Sequence, residues 1–329
     1  ENVVRADVLT AAAGNRMSSS DGSPWNLVTA VVVAHNSAHL VGDCLRALAP
    51  ARHVIVVDNA STDATRAVAR AAFPSVEIVE NPLNMGYGTA NNVGFERAAT
   101  PYVLLLNPDT VAEIGAVERL VAAAEADPRV AVVAPLLLSP DGRPEVYVMG
   151  PSERRHHRLS VPPDGPICTW FIMGAAMLWR LSAWRALGGY DENIFLYGED
   201  TDLSLRCARA GHSMVLLPEA VVRHLGGRSQ LPSVQTRWRR DWHMIWGHLY
   251  VESKWGDPAA TRAEARRILI RHGLKVLLYV PLLRLRRVLG NLARAHAALA
   301  FLRGRPSWSG RRGGIAQPDA GRLSSEKPQ

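Results

Sequence analysis

Between residues 28 and 133, short runs of β-branched and other apolar residues alternate with segments whose apolar residues recur at helical spacing. The apolar runs are continuous, which is typical of strands buried on both faces of a parallel sheet. They predict strands at residues 28–34, 54–57, 76–79, 102–106 and 130–133, separated by helices at 38–49, 62–72, 88–98 and 114–126. This βαβα order predicts an α/β fold in which helices sandwich a mostly parallel sheet.

Polar residues follow three of these predicted strands directly. His35 and Asn36 follow the first strand, Asp58 the second, and the string Asn107-Pro108-Asp109 the fourth. Ligands of open α/β sheets bind in the crevice at the carboxyl ends of the strands. We therefore expect these side chains to line one ligand-binding crevice.

Asp58 lies at the end of a strand in the string VIVVDNASTD. A carboxylate there can accept a hydrogen bond from the imide N–H of uracil or thymine. The alternative is an aspartate that only begins a turn, which is the commoner role for such a residue taken alone. Asp109 presents a similar choice, since a strand-end carboxylate can hold a divalent cation that bridges nucleotide phosphates, or can simply close an Asn-Pro-Asp turn.

The string NMGYGTANN, residues 84–92, places Gly86 and Gly88 at the G-x-G spacing of dinucleotide-binding loops. The third glycine position holds Asn91, and the string does not follow the first strand, which argues against a Rossmann dehydrogenase. Glycines that open a helix can still let backbone N–H groups approach a diphosphate. Simple loop flexibility is the alternative.

An acidic cluster, Glu199, Asp200 and Asp202, precedes a predicted helix that runs to about residue 210. One acid would suffice for capping, whereas mutual repulsion among three should raise a pKa, as expected of a catalytic base. His224 follows a short predicted strand and is a candidate metal ligand, although a lone histidine is more often structural.

The charge of the chain is concentrated near its C-terminal end. Of a net +8, residues 262–312 carry twelve arginines and one lysine against a single acid, so the rest of the chain is slightly acidic. This disfavours a nucleic-acid-binding core and favours a segment that meets an anionic surface. Leucines and one isoleucine are interleaved with these cations in a helical pattern that Pro281 is expected to break. No uncharged run is long enough to span a membrane. The stripe consists of Leu269, Ile270, Leu274, Leu277, Leu278, Leu282, Leu283 and Leu285.

These patterns predict four parts: a flexible leader at 1–26, a catalytic domain at 27–232, a basic amphipathic helical region at 233–303 and a disordered tail at 304–329. The helical region could lie on a membrane, or pack on the catalytic domain or on a second subunit in a homo-oligomer. Three cysteines without a CxxC pair predict no disulfide framework, which fits a reducing cytoplasm.

Six strings in order, VVVAHN, VVDNASTD, NMGYGTANNVG, LLLNPD, GGYDENIFLYGEDTDLSLRCARAG and VVRHLGG, resemble the family 2 glycosyltransferases of the GT-A fold. The resemblance is closer to the rhamnosyltransferase-like branch that builds bacterial cell-surface polysaccharides. It implies inverting transfer of a sugar, with rhamnose a candidate, from a dTDP- or UDP-linked donor to a glycan or polyprenyl-linked acceptor. It also implies a cytoplasmic enzyme, peripheral on the inner face of the cell membrane. A non-catalytic sugar-nucleotide-binding relative and a nucleic-acid-binding protein are the alternatives.

The resemblance also implies roles for individual residues. By this resemblance, Asp58 binds the nucleobase of the donor and Asp200 is the general base. Asp109 and His224 bind a Mg²⁺ or Mn²⁺ ion, and Asn107 stands in place of the first carboxylate of the metal motif. Further nucleotide-sugar contacts are expected from His35, Asn36, Asn84, Gly86, Gly88, Asn91 and Asn107, and acceptor or supporting contacts from Glu199, Asp202 and Trp170.

Overall fold

A computed structural model of the chain describes residues 22–150, 153, 155–225 and 233–308. Its strands are β1 Val28–Ala34, β2 His53–Asp58, β3 Glu77–Glu80, β4 Tyr102–Leu106, β5 Thr110–Ala112, β6 Val130–Leu138, β7 Val146–Val148, β8 His157–Leu159, β9 Ile167–Cys168, β10 Ala176–Arg180 and β11 Ser213–His224. Its α-helices are α1 Val41–Arg46, α2 Thr65–Ala72, α3 Tyr87–Arg97, α4 Ala116–Ala126, α5 Leu181–Ala186, α6 Glu199–Arg209, α7 Val234–Trp255, α8 Pro258–Tyr279 and α9 Leu285–Leu302.

The central sheet has the strand order β3-β2-β1-β4-β10-β6-β11-β5, and β9 pairs with β11. Strands β1 to β4 are mutually parallel where they pair, and β6 is parallel to β11. The mostly parallel α/β sheet predicted from the sequence is therefore confirmed. Strand β10 runs antiparallel between β4 and β6, a reversal that the alternating pattern did not predict.

Helices cover both faces of the sheet, as the continuous apolar strands require. On one face, α1, α2 and α4 contribute buried residues such as Leu45, Ala69 and Leu120. On the other face, α3, α5 and α6 do so, and Phe95 of α3 stacks on Trp184 of α5 with ring centroids 4.4 Å apart. Burying an aromatic side chain of this size stabilises a fold by about 2 kcal/mol. The two cores hold the strand ends of the site in place.

The two chain ends differ from the predicted boundaries. Trp25 lies in a short 3₁₀ helix, is buried, and donates its indole N–H to Glu118 Oε1 at 2.9 Å. The predicted leader 1–26 is thus too long at its end, and residues 1–21 lie outside the described residues. Ser307 and Trp308 likewise bond to the carbonyls of Asn193 and Glu192, at 2.6 and 3.0 Å. The predicted tail 304–329 therefore begins too early, and residues 309–329 lie outside the described residues.

Helices α7, α8 and α9 form a C-terminal unit at the predicted helical region. A capping box between Ser233 and Thr236 begins α7, and Asp257 caps the first turn of α8. The chain turns sharply after Tyr279, at the predicted break around Pro281, and α9 runs back along α8. In the part of the chain described, no helix is long and apolar enough to cross a bilayer.

Candidate active site

The carboxyl ends of β1, β2 and β4 meet at one edge of the sheet because these strands are parallel neighbours. Ala34, the last residue of β1, pairs in register with Asp58, the last residue of β2. The residues that follow the strands, including Asn36 and Asp109, therefore lie around one crevice, as expected for a ligand site in such a sheet.

Asp58 is fully buried in this crevice. Its Oδ1 accepts a hydrogen bond from the backbone N–H of Ser61 at 3.1 Å. Its Oδ2 has no hydrogen-bond donor among the described residues and lies 3.4 Å from Nη1 of Arg66. One oxygen of a fixed carboxylate is thus available to accept an N–H from a ligand.

His35 and Asn36 tie the loops after β1 and β2 together. The Nδ1–H of His35 donates to the carbonyl of Asn59 at 2.8 Å. Asn36, at φ +52°, accepts the N–H of Thr62 on its Oδ1 at 2.8 Å and donates its own N–H to Ser61 Oγ at 2.9 Å. Their side chains shape the pocket around Asp58.

Asn59 organises the neighbouring loop and was not singled out from the sequence. Its Nδ2 donates to Asn84 Oδ1 and to the carbonyl of Gly86, both at 3.1 Å. Its Oδ1 accepts from Asn81 Nδ2 at 3.1 Å and from the N–H of Met85 at 2.9 Å. The available signal was its position directly after Asp58 at a strand end.

The two glycines of the G-x-G string serve close packing. A Cβ on Gly86, at φ +84°, would lie 2.2 Å from the carbonyl oxygen of Phe195, and a Cβ on Gly88 would lie 2.9 Å from Cβ of Tyr190. The start of α3 is therefore pressed against the loop that precedes α6. Asn91 donates to the carbonyl of Tyr87 at 3.0 Å and leaves a buried Oδ1 without a donor.

Asp109 and His224 face each other across the crevice. Asp109 is 1% exposed, neither of its carboxylate oxygens has a hydrogen-bond donor in the described part of the chain, and Oδ2 lies 3.7 Å from Nε2 of His224. The Nδ1–H of His224 donates to Glu145 Oε2 at 2.7 Å, which orients Nε2 toward Asp109. The Oδ1 of Asn107 is also buried without a donor.

These unpartnered acceptors fit a divalent cation, because buried oxygen atoms ordinarily find a partner and Mg²⁺ or Mn²⁺ accepts oxygen and imidazole ligands. A carboxylate that hydrogen-bonds the second nitrogen of a metal-binding histidine is also common. The described residues contain no cluster of three or more His, Cys, Asp or Glu side chains placed to hold a metal. Asp109 and His224 would thus need phosphate and water oxygens to complete the coordination. Glu145 was missed because 79 residues separate it from His224.

Asp200 and Glu199 begin α6 on the opposite side of the crevice. Oδ2 of Asp200 accepts the backbone N–H of Gly174 at 2.9 Å, and its Oδ1 has no donor. Burial raises the pKa of Asp200 and that of Glu199, and the charge of Asp200 raises the pKa of Glu199 further. Glu199 is 5% exposed, whereas Asp200 is more accessible. Asp200 is therefore the acid better placed to meet a substrate.

Tyr87 links the acidic groups. Its hydroxyl donates to the carbonyl of Gly174. Burial and then the charges of Asp200, Glu199 and Asp109 raise the pKa of Tyr87, so the three carboxylates surround the same region. The predicted base and the predicted metal ligand therefore both lie within electrostatic range of the Tyr87 hydroxyl.

Asp202 and Trp170 are not part of this group. Asp202 is fully buried, with Oδ2 3.0 Å from Arg206 Nε and Oδ1 2.8 Å from Trp255 Nε1 and 2.7 Å from Lys254 Nζ. Both of its oxygens are therefore engaged, Oδ1 in attaching α7 to α6 and Oδ2 in a bond within α6. Trp170 packs on the core, and its backbone N–H donates to the carbonyl of Met149 at 2.8 Å.

A Rossmann-like sheet whose strand-end crevice gathers carboxylates defines the class of GT-A glycosyltransferases, and two solved structures share this fold. GalNAc-T7 with UDP, GalNAc and Mn²⁺ superposes with a TM-score of 0.51 at 16% identity, over 69% of this chain and 50% of that one. The mannosyltransferase PcManGT of Pyrobaculum calidifontis, in complex with GDP-Man and Mn²⁺, superposes with a TM-score of 0.51 at 17% identity, over 88% of this chain and 92% of that one.

Residues 29–181 match the sequence profile of glycosyl transferase family 2. An N-acetylglucosaminyl-diphospho-decaprenol L-rhamnosyltransferase of Mycobacterium tuberculosis is 32% identical over 206 residues, 52% of this chain and 66% of that protein. A pre-mycofactocin glycosyltransferase of the same species is 29% identical over 221 residues, 65% of this chain and 44% of that protein. Residues 29–181 thus belong to glycosyltransferase family 2, and the chain spans no more than 66% of the length of these two relatives.

Proposed function

We propose that the chain is a metal-dependent inverting glycosyltransferase of cell-envelope glycan synthesis, using a nucleoside-diphosphate sugar as donor. The observation that carries this proposal is that Asp58, Asp109 and Asp200 each keep a buried oxygen that lacks a hydrogen-bond donor among the described residues. Three such carboxylates match three needs of the reaction: recognition of the base, neutralisation of the diphosphate and removal of a proton.

Asp58 would accept the imide N–H of uracil or thymine, which favours UDP- or dTDP-linked donors. Asp109 and His224 would hold a divalent cation, and when bound that cation offsets the negative charge of the departing diphosphate. Asp200 would take the proton of an acceptor hydroxyl as its oxygen attacks the anomeric carbon. The new C–O bond forms opposite the breaking bond to the diphosphate, so the configuration inverts in one step and no covalent enzyme intermediate is needed.

The rhamnosyltransferase relative is named for a lipid-linked acceptor. This supports a glycan or polyprenyl-linked acceptor here, with rhamnose as a candidate sugar. It also supports a place on the inner face of the cell membrane, because a polyprenyl-linked acceptor is held in a membrane. Eight apolar side chains at the end of the α8–α9 hairpin are each at least half exposed, and we call them the apolar tip. The tip consists of Ile270, Leu274, Leu277, Leu278, Val280, Leu282, Leu283 and Leu285.

An exposed apolar patch flanked by cations is suited to the interface of an anionic membrane. Most of the stripe predicted from the sequence lies on this tip, whereas Leu269 turns inward and packs between α7 and α9. We propose peripheral membrane contact through the tip. A second copy of the chain covering the same surface is the competing arrangement.

Calorimetric titration of UDP and dTDP with Mg²⁺ or Mn²⁺ tests the donor site. We expect binding that EDTA weakens and that Asp58→Ala and Asp109→Ala both reduce. Asp200→Asn should retain nucleotide binding yet lower transfer to acceptor by at least ~10²-fold. If the wild-type protein binds the nucleotide but transfers no sugar, the chain is a non-catalytic sugar-nucleotide-binding relative. Equal affinity with and without a divalent cation would remove the metal from the proposal.

A further inference from the structure

A cavity of about 300 Å³ lies between α7, α8 and α9, in the C-terminal unit rather than in the strand-end crevice. Its lining carries six cationic side chains and one carboxylate, Asp241. The cations are Arg237, Arg240, Lys275, Arg286, Arg287 and Arg294. We call this feature the cationic cavity.

Asp241 offsets only part of this charge. It is buried, and its two oxygens lie 3.4 Å from Arg240 Nη2 and 3.3 Å from Arg294 Nη2. Within the described residues, no carboxylate lies within ion-pair distance of the remaining four cations, Arg237, Lys275, Arg286 and Arg287. Arg237, Arg286 and Arg287 are exposed and Lys275 is half-buried, so water screens their repulsion, and their convergence on one space still makes that space attractive to an anion.

His272 lies beside the cavity, because its ring shares a hydrogen bond with Asn291, which lines it. Burial and then the charges of Arg294, Lys275 and Arg271 lower its pKa, against a hydrogen bond with Asn291 that opposes the shift. Burial is the largest cause of this shift, and the neighbouring cations act in the same direction.

The position of the cavity indicates the kind of anion. Lys275 and Tyr279 line it from the last turns of α8, and Leu274, Leu277 and Leu278 of the apolar tip lie on the same turns. At about 100° per residue, the cationic side of α8 adjoins its exposed apolar side. A molecule that occupies both surfaces must combine a phosphate-like head with a hydrocarbon chain.

We propose that the cationic cavity binds the terminal phosphate of a membrane lipid whose hydrocarbon chain lies against the apolar tip. Four unneutralised cations exceed the single charge of a phosphodiester, whereas a terminal phosphate carries about −1.5 to −2 and offers three acceptor oxygens. Arginine is well suited to this role because its guanidinium forms paired, charge-assisted hydrogen bonds to phosphate. Residues 309–329 have only two large aliphatic residues and more cations than acids, so they complement neither surface.

This site rests on the proposed membrane contact but is separate from the donor site. Its place on α7 connects it with the catalytic loop: Gly247 of α7 packs against the carbonyl of Tyr197, and Arg240 and Asp241 act electrostatically on Tyr197. A lipid held here would therefore place the membrane surface beside the loop that leads into α6 and Asp200.

The test compares full-length protein on vesicles of two compositions at equal surface charge, one with phosphatidic acid and one with phosphatidylglycerol. General electrostatic attraction acts equally on both, whereas a terminal-phosphate site favours phosphatidic acid. We expect the wild type to prefer phosphatidic acid by about tenfold, the effect of one or two further charge-assisted hydrogen bonds. The triple variant Lys275→Ala, Arg286→Ala, Arg287→Ala should bind both compositions equally.

The matched control removes three cations that do not line the cavity, Arg262→Ala, Arg271→Ala and Arg303→Ala. It should bind both vesicles more weakly and keep the preference. Circular dichroism and thermal melting verify that both triple variants fold. Equal loss of preference in the two variants, or no preference in the wild type, would overturn the proposal.

Two further measurements separate the competing occupants. Millimolar inorganic diphosphate should reduce the preference without abolishing vesicle binding. If diphosphate binds at the cavity while vesicles do not, the site takes a free anion and the lipid is excluded. Sedimentation velocity on Leu277→Ser, Leu282→Ser identifies a second copy: a dimer that this change dissociates would also overturn the lipid proposal. Titration of UDP or dTDP on the same preparations tests the donor site independently, since it depends on Asp58 and Asp109.

Discussion

Gly174 sets the position of the proposed catalytic base, and its replacement by alanine is a sharp test of that role. Its backbone N–H donates to Asp200 Oδ2 at 2.9 Å, and its carbonyl accepts from Tyr87. A Cβ at this position would lie 2.3 Å from Oδ1, 2.6 Å from Oδ2 and 2.7 Å from Cγ of Asp200. Contacts between carbon and oxygen need more than 3 Å, so the carboxylate must move by about 1 Å.

A displacement of about 1 Å at a reacting group can cost ~10²-fold in rate. We therefore expect Gly174→Ala to lower kcat by about 10²-fold, close to the lower bound for loss of Asp200 itself. The KM for the donor should change little, because the three atoms nearest to a Cβ at Gly174 all belong to Asp200 and none to Asp58 or Asp109. The assay is release of nucleoside diphosphate in the presence of acceptor, with donor affinity measured separately.

Gly165→Ala is the matched control, because a Cβ there meets no atom within 4 Å. It should leave both kcat and donor affinity within about twofold of wild type. If Gly174→Ala retains more than a third of wild-type kcat while folding normally, the placement of Asp200 is not what limits turnover. A parallel loss of donor affinity would instead mean that the substitution disrupts the whole crevice.

Three other predictions address pH, the cation and stability. Because burial raises the pKa of Asp200, kcat should fall on acidification with an apparent pKa clearly above the ordinary ~3.9 of aspartate; a profile flat down to pH 5 would contradict its role as base. Glu145→Gln should weaken Mn²⁺-dependent nucleotide binding by about tenfold or more, because His224 loses its charged orienting partner; unchanged cation dependence would separate His224 from the metal. Lys254→Met should lower the free energy of unfolding by about 3 kcal/mol in urea titrations, since its ammonium lies 2.8 Å from buried Asp191. Burial raises the pKa of Asp191, but Lys254 and the hydrogen bonds that Asp191 accepts together lower it by more, so the stabilisation by this ion pair is present above pH ~4 and should fade below it. If the wild type and the variant still differ in free energy of unfolding at pH 2, the ion-pair explanation is refuted.

The amino-acid sequence determined the framework of the site. Continuous apolar runs identified β1, β2 and β4; Asp58 ends β2 at the sheet edge, and Asp109 follows β4 there. Strand patterning is local in sequence, and parallel neighbours necessarily bring their carboxyl ends together. The adjacency of these polar groups could therefore be predicted before any coordinates were known.

Contacts between distant segments depended on tertiary packing. Glu145 meets His224 only because β11 pairs with β6, and Gly174 meets Asp200 only because the reversed strand β10 begins beside α6. Neither pair has a local pattern that would reveal it. The same applies to Trp25, whose burial against α4 moved the domain boundary.

The acidic cluster illustrates the division most clearly. Glu199, Asp200 and Asp202 are equivalent in sequence, since all three are acids in the first turn of one helix. Packing then separated them: Lys254 and Trp255 of α7 engaged Asp202, while Asp200 kept an oxygen without a donor beside Gly174. The spacing of a carboxylate along the chain identifies it only as an acid in the first turn of a helix. Its role is decided by which distant groups reach it, because burial and partners control both its charge and its freedom to bind.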